Sequence, residues 1–234
     1  MAVAGADFDH PIFCESLRII RAMPGIEAAL GPLTALQQDV VLRLIHSSGD
    51  PELAGAVRFS PGACEAGLAA LAAGAPILTD TVMAAAAVGP MARRTFGNRV
   101  RSVLDWAPEQ APAGSTRAAA GMALALAEVG QASGEDGAAP VVLIGSAPTA
   151  LEVLLEQVGS GAAGVGAAPG RLPALVIGMP VGFVGVAESK RHLAASGLAH
   201  IGLAGSKGGA GLVAAACNAL LRAAWLQAAS APSC

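Results

Sequence analysis

One histidine stands in a setting that could do acid–base work. In PLTALQQDVVLRLIHSSGD, Asp39, Arg43, His46 and Asp50 fall at spacings of three or four. Such residues share one face of a helix. His46 falls in the last turn, where the negative end of the helix dipole favours the imidazolium form. That form suits a general acid. The competing reading is a solvated polar face held by i,i+4 charge pairs. The other histidines carry less. His10 lies in a segment expected to fray, His192 on a polar helix face, and His200 at the opening of a strand. No H-E-x-x-H or other ligand cluster occurs, so no metal site is expected.

Other groups have weaker settings. Arg93, Arg94, Arg99 and Arg101 surround Gly97 and could clamp carboxylates bidentately, or simply face solvent. Ser146 and Ser206 end apolar runs, but no G-x-S-x-G elbow occurs. A triad would have to assemble from residues distant in sequence. Lys207 in GSKGG resembles an anion cradle, although the P-loop pattern is absent. Glu188-Ser189-Lys190 at a helix start reads as an anion site or as a cap region. GSGAAGVGAAPG matches G-x-G-x-x-G at Gly159, Gly161 and Gly164. It follows a helix and runs into Pro169, so it reads as a linker and no dinucleotide cofactor is expected.

These groups need a frame to hold them. Leu33, Leu36, Val40, Val41, Leu44 and Ile45 give the His46 segment helical spacing, with Pro32 before it and Gly49 after it. A second helix is expected from Pro61 to Ala73. Pro76–Asp80 and Asn98–Asp105 read as strands, Trp106–Ser115 as a loop, and Thr116 to about Gln131 as a helix. Ala132–Pro140 reads as a flexible turn. The C-terminal half alternates. Val141–Gly145, Leu172–Gly178 and Ala199–Gly205 are apolar runs. Each precedes a helix, at Thr149–Val158, Glu188–Ala195 and Gly209–Gln227. Continuous apolar strands alternating with helices mean βαβ units and a parallel sheet covered on both faces. Ligands of such sheets bind at the carboxyl ends of the strands. Here those ends are GSAPT, GMPVGF and GSKGG.

Composition excludes several classes. The 234 residues are 54% hydrophobic and 13% charged, so this is no disordered chain. One domain is expected over 1–234, with a helical part over about 10–75 and a sheet part over about 76–228. Net charge is −3 and aromatics are 3%, which argues against nucleic acid as partner. Mean hydropathy is +0.59. The best candidate span, Leu172–Ala187, is short and interrupted by Pro173 and Pro180, so no membrane association is expected. Cys14, Cys64, Cys217 and Cys234 form no C-x-x-C pair and read as reduced, mostly buried thiols of a cytoplasmic protein. The N-terminal MAVAGADFDHPIF lacks a basic n-region and reads as no signal peptide.

Seven blocks carry a resemblance. They are ESLRIIRA (15–22), RLIHSSGD (43–50), ILTDTVM (77–83), STR (115–117), GSAPTAL (145–151), MPVGFVGVAESK (179–190) and KGGAGLVAAACNAL (207–220). Together and in this order they resemble the precorrin-8X methylmutase (precorrin isomerase) family. Two positions depart from the family pattern: Ser146 stands where Asn is usual, and Ala210 where Ser is usual.

The resemblance implies a three-layer α/β/α fold with a mainly parallel, flavodoxin-like sheet, and a homodimer. It implies an isomerase of cobalamin biosynthesis. A methyl group moves from ring carbon 11 to carbon 12 of precorrin-8X, giving hydrogenobyrinate, or the cobalt-loaded counterpart reacts to cobyrinate. Such a shift needs no nucleophile, redox cofactor or methyl donor, so no cofactor is implied. The resemblance assigns catalysis to His46 and substrate contacts to Ser16 and Arg43. Further substrate contacts are expected in the other blocks, at Thr79, Asp80, Met83, Arg117, Ser146, Pro148, Thr149, Ser189, Lys190, Gly208 and Gly209. The alternative is a non-catalytic tetrapyrrole carrier on the same fold.

Overall fold

A computed structural model describes residues 8–132, 138–161 and 172–230. Cys234, residues 1–7 and most of the expected Gly159–Gly170 linker and Ala132–Pro140 turn lie outside them.

The His46 helix forms as its sequence directs. It is α3, Ala35–Ser48; α1 (Pro11–Arg21) and α2 (Ile26–Leu30) precede it. Thr34 caps α3 and Gln37 closes a reciprocal capping box, satisfying two otherwise orphaned N–H groups. Gly49 ends it with φ +69°, the left-handed conformation that glycine adopts without steric cost. His10 is not frayed: it caps α1 through its ring, which accepts from the Ile12 N–H. A short helix, α4 (Leu53–Ala56), and α5 (Ala63–Ala72) follow.

Six strands build one sheet: β1 Val57–Phe59, β2 Ile77–Thr79, β3 Val100–Ser102, β4 Val141–Ile144, β5 Leu175–Gly178 and β6 His200–Leu203. Their order is β1-β6-β5-β4-β2-β3. All neighbours pair in parallel except β1, which runs antiparallel on β6. The five parallel strands therefore have the flavodoxin-like order 2-1-3-4-5. The order reverses between β2 and β4, where a ligand crevice is expected.

The remaining helices are α6 (Val82–Arg94), α7 (Arg117–Ala132), α8 (Pro148–Gly161), α9 (Val186–Ala195) and α10 (Ala210–Ser230). Strand residues alternate between two cores. Ile77, Val141, Leu143, Leu175 and Ile177 face α3, α5, α6 and α10. Leu78, Val142, Ile144 and Val176 face α7, α8 and α9. By length and composition α10 could cross a bilayer, but it is packed against α3, α5 and α6 as a core helix.

Three further expectations change. The strand expected over Asn98–Asp105 is only Val100–Ser102. The Ser102 hydroxyl accepts from the Leu104 N–H and turns Val103–Asp105 into a 3-10 turn. The N-terminal part is not wholly helical, because β1 supplies a sheet edge. The basic cluster around Gly97 is split, with Arg99 and Arg101 lining one pocket and Arg94 turned elsewhere. Arg94 stacks on Phe8 and donates to its carbonyl, while Arg101 stacks on Trp106 and bonds Glu128. These side chains form no common clamp.

Candidate active site

Helices α1 and α3 bring the chemistry together. Ser16 Oγ lies 2.7 Å from His46 Nδ1. The Phe13 ring meets the imidazole edge to face at 5.0 Å between centroids. The Arg43 guanidinium lies over the same Phe13 ring at 4.6 Å. A cleft of about 320 Å³ opens beside this cluster, lined by Ile12, Ser16, Ile19, His46, Gly49 and Pro51, among others. His46 Nε2 has no hydrogen-bond partner among the described residues.

The charge pattern differs from the i,i+4 reading. Asp39 does not pair with Arg43. It accepts from Arg222 of α10 at 2.9 Å, and Arg222 also binds both oxygens of Asp9. Arg222 thus takes both nearby carboxylates. Arg43 has no hydrogen-bond acceptor among the described residues, although its guanidinium is partly buried. Burial, then the charge of Arg222, lower its pKa. A guanidinium still stays charged. An incoming carboxylate would supply the partner that Arg222 has removed.

The electrostatics of His46 overturn the dipole argument. Burial on its covered side and then the Arg43 charge push its pKa below the ordinary histidine value. These outweigh the helix terminus, so the neutral imidazole is favoured. Burial is the larger cause, and Arg43, one turn earlier, adds a cation beside the ring.

The expected contacts divide into two groups. Ser146 and Pro148 are partly exposed and Thr149 is exposed at the carboxyl end of β4. The Thr149 and Thr116 hydroxyls lie 2.8 Å apart. Met83 is 66% exposed. Arg117 is exposed, and its Nε donates to the Pro108 carbonyl. Thr79, Asp80 and Ser189 are fully buried, so none presents a surface to a ligand. Ser189 Oγ donates to the Val186 carbonyl, and Thr79 Oγ1 donates to the Thr81 carbonyl.

The strand-end amides are also largely committed. Gly145, Ser146 and Ala147 donate to Asp80 Oδ2 at 3.1, 2.6 and 2.8 Å. Val181 N–H donates to the Gly145 carbonyl, Gly182 to Ser206, and Gly209 to Met179. They are not free to receive a carboxylate. Nor is the Lys207 cradle: its ammonium is held by Asp50 Oδ2 at 2.6 Å and Glu52 Oε2 at 2.7 Å. Lys190 donates to the Gly205 and Lys207 carbonyls, and burial pushes its pKa down to about 8. Both lysines of the chain therefore secure the β6–α10 loop. Through Lys207 that loop is tied to Asp50, just past the end of α3. The His46 helix end and the carboxyl ends of the strands lie on one side of the molecule.

The loops fit without slack. A Cβ on Gly208 would lie 2.0 Å from the Met179 carbonyl oxygen, and one on Gly145 would lie 2.7 Å from the Gly209–Ala210 backbone. Gly208→Ala must displace backbone. It is expected to lower stability by about 1–3 kcal/mol, read as a shift in urea midpoint at constant m-value.

Sequence reasoning missed Asp9, Phe13 and Arg222. Their signal was absent: Arg222 reaches Asp39 across 183 positions of chain.

Comparison with known proteins follows the same site. The family described as "Precorrin-8X methylmutase" matches residues 11–223. A precorrin-8X methylmutase of Pseudomonas aeruginosa is 41% identical over 214 residues, covering 89% of this chain and 93% of that protein. A precorrin-8X methylmutase of Sinorhizobium is 40% identical, covering 91% and 94%. A cobalt-precorrin-8 methylmutase of Synechocystis is 32% identical, covering 93% and 97%. The crystal structure of a precorrin-8X methyl mutase from Thermus thermophilus superposes with a TM-score of 0.74 at 41% identity, covering 92% of this chain and 98% of that one.

Proposed function

Because the chain belongs to the precorrin-8X methylmutase family, we propose that it moves the methyl group on ring carbon 11 of precorrin-8X to carbon 12, giving hydrogenobyrinate. It is an isomerase of cobalamin biosynthesis. The observation that carries the site assignment is the Ser16–His46 pair on the cleft, with Arg43 beside it across the Phe13 ring. A methyl shift within one molecule needs a fixed macrocycle and help in polarising it. In this reading Arg43 takes a substrate carboxylate. Ser16 Oγ–H donates to His46 Nδ1, which leaves the imidazole proton on Nε2. That N–H is the donor offered to the ring. The exposed Ser146, Thr149 and Met83 would line the rest of the site. The relatives at 40–41% identity bear the name of the metal-free substrate, so precorrin-8X is tested first and cobalt-precorrin-8 beside it. Conversion on incubation, followed by absorbance, tests the assignment. Binding without conversion would reject it.

The lowered His46 pKa gives a pH dependence. A neutral donor is present wherever pH exceeds that pKa, and is lost only as pH falls through it. The single-turnover rate is expected not to rise on going from about pH 7.5 down to about 6.5, the ordinary histidine value, and to decline as pH falls through the lowered pKa. A rate that rises several-fold on going down through that interval would mean that imidazolium is the acid.

We read the functional unit as a homodimer of a cytoplasmic enzyme, with residues 1–234 acting as one domain per subunit. Phe183 and Val184 are 92% and 89% exposed, and Ile12 and Val82 are also exposed. Adjacent apolar side chains this bare call for a partner surface. A cleft near the small end of ligand sites, about 300–1,000 Å³, also leaves much of a macrocycle to be covered from outside. Phe183→Asp is expected to shift the protein from dimer toward monomer in sedimentation. An unchanged dimer would place the interface elsewhere. Burial pushes the Cys64 and Cys217 thiols up to about 12, so they stay unreactive, as suits a reducing compartment.

A further inference from the structure

Asp80 is fully buried at the carboxyl end of β2, beside the point where the strand order reverses. Its Oδ2 accepts three consecutive backbone N–H groups, from Gly145, Ser146 and Ala147. Its Oδ1 is buried and has no partner among the described residues. Consecutive N–H groups converging just ahead of a helix, here α8, form an anion-binding concavity. In open α/β sheets that concavity commonly faces the ligand. Here the protein fills it with its own carboxylate.

The carboxylate is not needed to join the strands. β2 and β4 already pair through their backbones, and the Asp80 N–H extends that ladder to the Leu143 carbonyl at 3.0 Å. What Asp80 fixes is the amide face of the loop after β4. The loop is confined on its other side by the Gly209–Ala210 backbone against Gly145. Burial raises the Asp80 pKa, while the three N–H groups act to lower it. They are the partners a buried carboxylate requires.

We propose that Asp80 is a positioning residue: an internal anion that occupies the amide concavity at the sheet's switch point. The loop then meets the tetrapyrrole through the Ser146 and Thr149 side chains, and offers no backbone site for a carboxylate or phosphate. This rests on the methylmutase reading for the identity of the ligand. The filled concavity itself does not.

The first test uses the wild-type protein. Amide hydrogen exchange at Ser146 and Ala147 is followed by NMR, free and with hydrogenobyrinate bound. Both amides are expected to exchange slowly in the free protein and to keep that protection in the complex. Fast exchange in the free protein, with protection appearing only on binding, would overturn the proposal, because the amides would then serve the ligand. The second test is Asp80→Asn, which keeps the shape but replaces a charged acceptor with a neutral one. Affinity for hydrogenobyrinate is expected to fall about fivefold to tenfold, with little change in the single-turnover rate at saturation. Combined with Ser146→Ala, the loss should be less than additive, because Asp80 acts through the loop that carries Ser146. Unchanged affinity, or strict additivity, would reduce Asp80 to a structural residue. If the wild-type protein bound no hydrogenobyrinate, the methylmutase reading would fail, and exchange in the free protein would still decide the role of Asp80.

Discussion

His46→Asn is expected to slow methyl migration by about 10²–10⁴-fold while leaving fold and product affinity mostly intact. The size of the effect follows from how few groups on this cleft can address the macrocycle electronically. His46 is the titratable residue that faces it with a free donor position, and Ser16 fixes its other nitrogen. Asn is shorter: its amide reaches the place of Nδ1 beside Ser16, not that of the Nε2–H offered to the ring, so the donor is lost where the macrocycle needs it. The fold should tolerate the change. His46 is exposed on α3, whose buried face is Val40, Val41, Leu44 and Ile45. What is lost locally is the edge contact with Phe13, worth about 0.5–1.5 kcal/mol. A surface histidine without a role would change rate by little, since such substitutions stay within about 0.5 kcal/mol. Single-turnover conversion of precorrin-8X separates the two. Near-wild-type turnover would remove His46 from the chemistry and leave the cleft as a binding surface only.

The parts of the fold that sequence made legible are those set by local rules. Pro32 before the apolar period and Gly49 after it bracket α3. The apolar runs at 141–145, 172–178 and 199–205 state a parallel sheet. The elements it hid are short or carry conflicting signals. β1 is three residues on an edge, too brief to show a period. α6 contains Pro90 within the helix and reads poorly as one. The site was legible in its residue types and not in its charges. Asp39 and Arg43 have ideal helical spacing, yet the contest for Asp39 is won by Arg222 from the far end of the chain. The same holds for Lys207, whose anions are Asp50 and Glu52, and for the GSAPT amides, whose anion is Asp80. In each case tertiary proximity, not spacing along the chain, chooses the partner. The family resemblance located Ser16, Arg43 and His46. Only the folded arrangement biases His46 toward neutrality and leaves Arg43 without a hydrogen-bond acceptor.

That free guanidinium supports the second large effect. Arg43→Ala is expected to weaken hydrogenobyrinate binding by about 1.5–3 kcal/mol, or about 10–150-fold in Kd. The saturated single-turnover rate should change much less. A carboxylate held by Arg43 is bound in the ground state and remains bound as the methyl group moves, so its contribution is nearly uniform. Two features argue for the upper part of the range. Arg43 is half-buried, so its attraction for an anion is screened less than that of a surface residue. It also has no hydrogen-bonded carboxylate to give up on binding, because Arg222 already holds Asp9 and Asp39. One effect works the other way. Removing the Arg43 charge relieves the pressure that lowers the His46 pKa, so the variant's acid limb should move to higher pH. That displacement separates the clamp from a mere packing role on Phe13, since Arg43→Lys would keep the charge beside His46 while losing the bidentate fork. Arg43→Lys should therefore bind product weakly but retain the wild-type pH profile. Wild-type affinity in Arg43→Ala would show that the substrate's carboxylates are held elsewhere.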